Sequence, residues 1–208
     1  MSIKDSYNIW AESYDRMENK TRDLEKTAIR KTLMGYKFND VIELGCGTGK
    51  NTQWLVKRAK HLIAVDFSEE MISKARNKIK SDKVNFLELD ITKSWKLKNN
   101  SADLISCSLV LEHISDLSFI FSEAGKKLKP GGAFYICELH PFKQYLGSKA
   151  RYKTESGIIE LEVFVHNVSE YINSALDNGF KLVELKEGFD ADEKSGPPRL
   201  ISFVFEKA

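Results

Sequence analysis

Two periodicities alternate along the middle of the chain. Val41–Leu44 is a short apolar run, and His61–Val65, Val84–Leu89, Ala102–Leu109 and Ala133–Leu139 are runs of the same kind. Short runs rich in branched and aliphatic residues, bounded by Gly or Asp, predict strands buried on both faces. Helical spacing lies between them. Trp54, Leu55, Val56 and Ala59 are apolar among Lys57, Arg58 and Lys60. Met71, Ile72, Ala75 and Ile79 recur at helical intervals behind Ser68, a good N-cap. Leu117–Leu128 is a further helical stretch, stopped by Lys129-Pro130-Gly131-Gly132. Strands interleaved with helices predict βαβ units, hence a parallel α/β sheet covered on both faces.

The ends depart from this rhythm. Residues 1–35 are polar, carry Tyr7, Ile9, Trp10 and Tyr14, and predict one or two helices outside the sheet. Residues 140–166 fit no βα pattern, although alternation from Leu161 suggests a short strand. Val168–Asn178 predicts a helix ended by Gly179, and Phe180–Glu187 and Leu200–Phe205 predict two closing strands. The stretch between them, Gly188–Arg199, holds Gly196-Pro197-Pro198. No linker divides the chain, so a single unit over 1–208 is expected, as a lid (1–35), a core (36–139), a flap (140–166) and a terminal helix with hairpin (167–208).

Composition narrows the classes. The 208 residues are 42% hydrophobic and 30% charged, with a formal net charge of +2. That is a globular composition, not a disordered or fibrous one. No run of about 18 apolar residues is present to span a bilayer, and the first residues lack the apolar stretch of a signal peptide. Cys46, Cys107 and Cys137 form no CxxC pair and lie in or beside apolar runs, which suggests reduced thiols and a cytoplasmic location. Near-neutral charge offers no general attraction to nucleic acid or membrane.

The chemistry concentrates where the first strands end. Val41-Ile42-Glu43-Leu44-Gly45-Cys46-Gly47-Thr48-Gly49 closes a strand with G-x-G-x-G, which lets the backbone approach a ligand closely. The spacing differs from the G-x-G-x-x-G of dinucleotide sites. Asp66 ends the second strand about 20 residues later, where a carboxylate can accept from ribose hydroxyls. Asp90 ends the third, where it can meet an adenine amino group or simply close a turn before Thr92.

Further motifs follow in register: Val65-Asp66-Phe67-Ser68-Glu69-Glu70-Met71, Leu89-Asp90-Ile91, Ala102-Asp103-Leu104-Ile105-Ser106 and Leu128-Lys129-Pro130-Gly131-Gly132. Residues 41–139 thereby resemble the class I S-adenosylmethionine (SAM)-dependent methyltransferases, in the small-molecule, type 11-like branch. The resemblance implies a Rossmann-like, seven-stranded, mostly parallel sheet with an antiparallel last strand and helices on both faces. It implies SAM as cofactor, with Gly45, Cys46 and Gly47 packed on its methionine portion and Glu43 orienting the loop or the ammonium group. Asp66 would bind the ribose, Phe67 and Met71 would flank the adenine, and Asp90 and Ile91 would meet its edge and ring. Ser108 would lie near the methionine end, and Tyr14 would belong to a helix that covers the cofactor. The implied acceptor is a small molecule, and the protein is expected to be a monomer or homodimer with no nucleic-acid or membrane partner.

Methyl transfer from a sulfonium is an in-line displacement, and a base is needed only if the acceptor loses a proton. His140, at the end of the fifth strand, and His166, before the last helix, are the candidate bases, since imidazole titrates near neutrality. His113 reads mainly as structural, and Glu138 is a weaker candidate. The flap, with Phe142, Tyr145, Arg151, Tyr152 and Lys153, is the expected specificity element. No metal-ligand cluster is evident. The other readings are a nucleic-acid or protein methyltransferase, a non-catalytic SAM-binding protein and a nucleotide-dependent oxidoreductase. The first lacks an Asn/Asp-Pro-Pro-aromatic motif after the fourth strand, and the last is disfavoured by the glycine spacing.

Overall fold

The computed structural model describes residues 2–154, 157–190 and 196–208. Strands β1 (Asp40–Leu44), β2 (His61–Asp66), β3 (Val84–Glu88), β4 (Ala102–Ser108) and β5 (Leu128–Leu139) form the parallel part of one sheet. The terminal strands β8 (Phe180–Gly188) and β9 (Leu200–Lys207) complete it. The strand order is β3-β2-β1-β4-β5-β9-β8, and β9 runs antiparallel to both neighbours. This is the expected seven-stranded α/β sheet with an antiparallel last strand.

The order reverses after β1: β2 and β3 lie on one side of it, β4 and β5 on the other. Such a switch opens a crevice at the carboxyl ends of β1 and β4, where loops must diverge. Helices α2 (Lys20–Leu33) and α4 (Glu69–Lys78) bury Leu33 and Ile72 with Val41, Leu62 and Tyr135 in one core cluster. Helices α5 (Leu117–Lys127) and α7 (Val168–Asp177) bury Phe121 and Tyr171 with Ile105, Phe134 and Phe203 in another. α3 is one short turn, Thr52–Leu55, beyond the glycine loop.

The N-terminal helix α1 (Ile3–Trp10) starts with a reciprocal cap between Ser2 and Asp5. It packs across α4, where the Ser68 hydroxyl donates to Asn8 Oδ1 at 2.6 Å and Lys74 meets Glu12 at 2.7 Å. Trp10 is buried against Tyr152 and Leu161, so the N-terminal segment and the flap share a small core.

Three expectations change in detail. Tyr14 lies in the turns of residues 11–16 between α1 and α2, not in a helix. The strand anticipated from Leu161 is absent: residues 161–167 are irregular, and the flap instead holds a hairpin, β6 (Arg151–Thr154) with β7 (Gly157–Glu160). The alternation read from Leu161 reflects Leu161 turning into the Trp10 cluster rather than ladder pairing. Lys129–Gly132, expected as a turn, is a bulge in β5, because pairing jumps from Ala102–Leu128 to Leu104–Ala133. Part of the 188–199 stretch lies outside the described residues. Among the described residues no helix is long and apolar enough to cross a membrane.

Candidate active site

The glycine loop is shaped by backbone geometry. Gly45, Gly47 and Gly49 all have positive φ (65°, 52° and 85°), a region that costs L side chains energy. At Gly45 a Cβ would overlap Val110 Cγ2, whereas a Cβ at Gly47 would meet nothing within 4 Å. Gly45 therefore lets the loops after β1 and β4 meet, and Gly47 leaves room for a ligand.

Asp66 locks this loop. Its Oδ2 accepts from the Gly47 N–H at 2.8 Å and its Oδ1 from the Ser68 N–H at 2.9 Å. Burial pushes its pKa up to about 6, against these backbone hydrogen bonds. A carboxylate accepts up to about four hydrogen bonds, so capacity remains toward the crevice.

A cavity of about 470 Å³ opens beside this corner. Tyr14, Gly45, Gly47, Asp66, Phe67 and Met71 line it, as do Asp90, Ile91 and Ser108. Phe67, Met71, Leu89 and Ile91 make one wall apolar, and the Tyr7 ring stands edge-on to Phe67 at 5.8 Å. Asp90 sits exposed at the mouth, with Oδ1 accepting from Thr92 N–H (2.9 Å) and hydroxyl (2.6 Å). One of its oxygens is thus spent on the turn.

Glu43 and Cys46 border a separate, smaller space of about 60 Å³ beyond the glycine loop. Glu43 accepts from the Thr52 hydroxyl at 2.6 Å, and burial pushes it up to about 8. Glu25 of α2 enters the same space and is also raised by burial. Lys50 and Arg22 stand beside the two acids, and Ser106 Oγ is buried without a partner. The Cys46 side chain packs into the core cluster with Ile72, and burial pushes its thiol up. This small space can receive an amino acid zwitterion: acids for the ammonium, cations for the carboxylate.

A third cavity, about 380 Å³, lies between the N-terminal segment and the flap. It shares Tyr7, Tyr14 and Leu109 with the 470 Å³ cavity. Leu109 has φ of 56°, and its N–H donates to the Cys137 carbonyl at 2.8 Å. A non-glycine residue held there is strained, and the strain sets it where the cavities meet. Glu112 lines the third cavity, and burial pushes it up to about 7.

The candidate bases stand elsewhere. His140 caps α6 (Pro141–Tyr145): its Nδ1 accepts from the Phe142 N–H at 3.1 Å, so Nε2 carries the proton toward Glu187, 3.1 Å away. Its ring stacks on Phe142 at 5.2 Å. His166 is buried, with Nε2 2.7 Å from the Ile114 carbonyl and its ring against Tyr171. Neither borders the 470 Å³ or the 380 Å³ cavity. Glu138 is buried under the loop after β4, where Oε1 accepts from Val110 (3.0 Å) and Leu111 (3.1 Å). His113 does border the cofactor-sized cavity. Its Nδ1 donates to the Glu162 carbonyl at 2.9 Å, which leaves Nε2 to accept from the Tyr7 hydroxyl at 2.9 Å. Leu109, Glu112, Glu25 and Arg22 escaped the sequence reading, because no local motif marks them.

Comparison with known proteins follows the same lines. Residues 42–136 match the family model described as a methyltransferase domain. Phosphoethanolamine N-methyltransferase 1 of Triticum aestivum is 31% identical over 59% of this chain and 26% of its own length. Demethylmenaquinone methyltransferase of Leptospira interrogans is 29% identical over 64% of this chain and 58% of its own length. The chain thus spans between a quarter and three fifths of these two relatives. A SAM-dependent methyltransferase from Clostridium acetobutylicum superposes with TM-score 0.76 at 19% identity, covering 98% of this chain and 99% of that one. The N-methyltransferase NodS of Bradyrhizobium japonicum, solved with S-adenosylhomocysteine, superposes with TM-score 0.73 at 18% identity over 98% and 97%. With its strand order, its glycine loop and residues 42–136 matched to a methyltransferase domain, the chain has the fold of the class I SAM-dependent methyltransferases.

Proposed function

We propose that this protein transfers a methyl group from SAM to a small-molecule acceptor held in the cavity between the N-terminal segment and the flap. One observation carries this reading: a 470 Å³ cavity anchored on Gly47 and Asp66 meets a 380 Å³ cavity at Tyr7, Tyr14 and Leu109. Donor and acceptor each have a chamber, and the chambers touch.

The residues fit the cofactor. Asp66 would face the ribose, and Phe67, Met71 and Ile91 would flank the adenine, with Asp90 at its edge. Glu25 and Glu43 would take the ammonium and Lys50 the carboxylate. Gly47 leaves the backbone bare where the ligand passes. When bound, SAM supplies a methyl group on a positively charged sulfur, open to attack by a lone pair.

The chain's own work is alignment and exclusion of water. Tyr7 and Tyr14 wall the junction from the N-terminal side, and Leu109 walls it from β4. The names of the relatives span an amine acceptor and a quinone precursor, so they support a small molecule without choosing its class.

Calorimetric titration with S-adenosylhomocysteine tests the reading. Micromolar binding that weakens at least tenfold in Asp66→Ala is expected. Binding of NAD in its place would overturn it.

A further inference from the structure

The lining of the 380 Å³ cavity is chemically divided. Three aromatic rings crowd its inner part: Trp10 stacks on Tyr152 at 5.2 Å and 18°, and the Tyr14 ring meets Trp10 edge-on at 4.8 Å. Tyr7 adds a fourth ring 5.6 Å from Trp10. Among the described residues the buried Tyr152 hydroxyl has no hydrogen-bond partner. Electron-rich ring faces attract cations, and the Tyr14 face already carries the Arg22 guanidinium, 4.2 Å from its centroid.

Among them stands Glu112. It is 7% exposed, and the partner of its carboxylate is Gln144, whose Nε2 lies 3.4 Å from Oε2. A buried carboxylate with one long, neutral hydrogen bond is poorly compensated. A cation arriving beside it would supply what the protein does not. Glu112 also sits on the turn after β4 whose other residues, Val110 and His113, border the cofactor cavity. A group held by Glu112 would lie in the chamber that shares Tyr7, Tyr14 and Leu109 with the donor's.

The opposite charge enters from other segments. Lys149 and Arg151 of the flap, Arg22 of α2 and Arg199 before β9 line the same cavity, and none of them lines the 470 Å³ cavity. Arg22 already donates to the Tyr14 and Met17 carbonyls at 2.6 Å each, Arg199 forks onto Asp190 and Lys149 pairs with Glu160. Arg151 is exposed at the rim. With Arg199 and Lys149 paired to acids, Arg22 held on Tyr14 and Glu18 also on the lining, the charge that faces an anion here is that of Arg151.

From this division we propose that the acceptor is a small amine that also carries an anionic group, phosphate or carboxylate. The amine lies beside Trp10 and Tyr152 against Glu112, and the anion lies toward Arg151. This rests on the methyl-transfer reading above. The amine enters as an ammonium. Glu112 takes one proton, so an N–H bond breaks and an O–H bond forms, which frees the nitrogen lone pair. The nitrogen then bonds to the methyl carbon as the carbon–sulfur bond breaks and sulfur keeps that electron pair. The product is a methylated ammonium and a neutral thioether, and the proton on Glu112 returns to water.

Calorimetric titration of the whole chain, with and without S-adenosylhomocysteine, tests this. The probes are O-phosphoethanolamine, β-alanine, ethanolamine and 4-hydroxybenzoate. Either or both of the first two should bind at least tenfold tighter than ethanolamine, which lacks the anion, and 4-hydroxybenzoate, which lacks the amine. Their ratio tells phosphate from carboxylate. Glu112→Gln should weaken the preferred amine at least tenfold with little change in S-adenosylhomocysteine affinity, and Arg151→Met should weaken it about fivefold. Two results would overturn the proposal: equal or tighter binding of 4-hydroxybenzoate, or unchanged amine affinity in Glu112→Gln. Absent binding of every amine, in both loaded and unloaded chain, also overturns it. Absent binding of S-adenosylhomocysteine alone would instead strike the methyl-transfer reading.

Discussion

The Tyr7 hydroxyl donates to His113 Nε2 across 2.9 Å, tying the N-terminal helix to the turn after β4 over the mouth of the cofactor cavity. The tautomer is set from behind, because His113 Nδ1 gives its proton to the Glu162 carbonyl. Burial lowers the pKa of His113, so near neutrality Nε2 is a free acceptor.

That arrangement makes closure of α1 depend on pH. A histidine whose folded pKa is depressed contributes stability above its unfolded value near 6.5 and loses it as pH falls through the folded value. Protonated His113 has no lone pair for Tyr7. Protection factors of the α1 amides, taken against the intrinsic exchange rate at each pH, should fall between pH 7.5 and pH 5. In Tyr7→Phe, protection should already be low at pH 7.5 and change little with pH. An identical pH response in wild type and Tyr7→Phe would remove the latch.

Asp66 gives a second pH signature, with its own cause. Its carboxyl, raised to about 6 by burial, must be ionised to accept from two hydroxyls while holding Gly47 and Ser68. Affinity for S-adenosylhomocysteine should therefore fall from pH 7.5 to pH 5. Asp66→Ala should cost about 1.5–3 kcal/mol of binding, the worth of charge-assisted hydrogen bonds. Calorimetry at both pH values measures it, and an unchanged affinity in the mutant would take Asp66 out of the site.

The parts of the site that could be read in the sequence are those one segment specifies alone. Gly45 to Gly49 must take positive φ after a buried strand, and Asp66 ends the next strand one βα unit later; both relations are local. Leu109, Glu112 and Arg22 carry no such mark, because their roles arise when the turn after β4, α2 and the flap converge. His140 stands at the cap of α6 for a physical reason. A residue at the end of β5 faces the crevice by default, but Pro141 opens a helix immediately after it and draws the imidazole into capping. The Leu161 alternation fails because burial against Trp10 imitates a strand face.

The glycine loop separates stability from binding. Gly45→Ala must place a methyl into Val110 and adopt φ of 65°, so it combines overpacking with a backbone penalty, each about 1–3 kcal/mol. Gly47→Ala meets open space and carries only the left-handed penalty, about 1–2 kcal/mol. Thermal denaturation should rank Gly45→Ala well below Gly47→Ala. S-adenosylhomocysteine affinity should nevertheless fall in Gly47→Ala, whose methyl projects into the cradle. A Gly47→Ala protein that binds as wild type would show that the ligand does not pass there.

His140 provides the sharpest contrast between a structural and a chemical role. Its Nδ1 satisfies the first orphan N–H of α6, its ring covers Phe142, and its Nε2–H points to Glu187, and neither residue lines the 470 Å³ or the 380 Å³ cavity. Removing an N-cap acceptor costs about 0.5–2 kcal/mol. At roughly 2–4 °C per kcal/mol for a chain of this size, His140→Ala should lower Tm by several degrees. Turnover per folded molecule and S-adenosylhomocysteine affinity should stay near wild type. His140→Asn, which keeps a side-chain acceptor at the cap, should recover much of the lost Tm. Were His140 the base instead, both variants would lose turnover alike whatever their stability, and the measured pH–rate profile would lose its acidic limb in each.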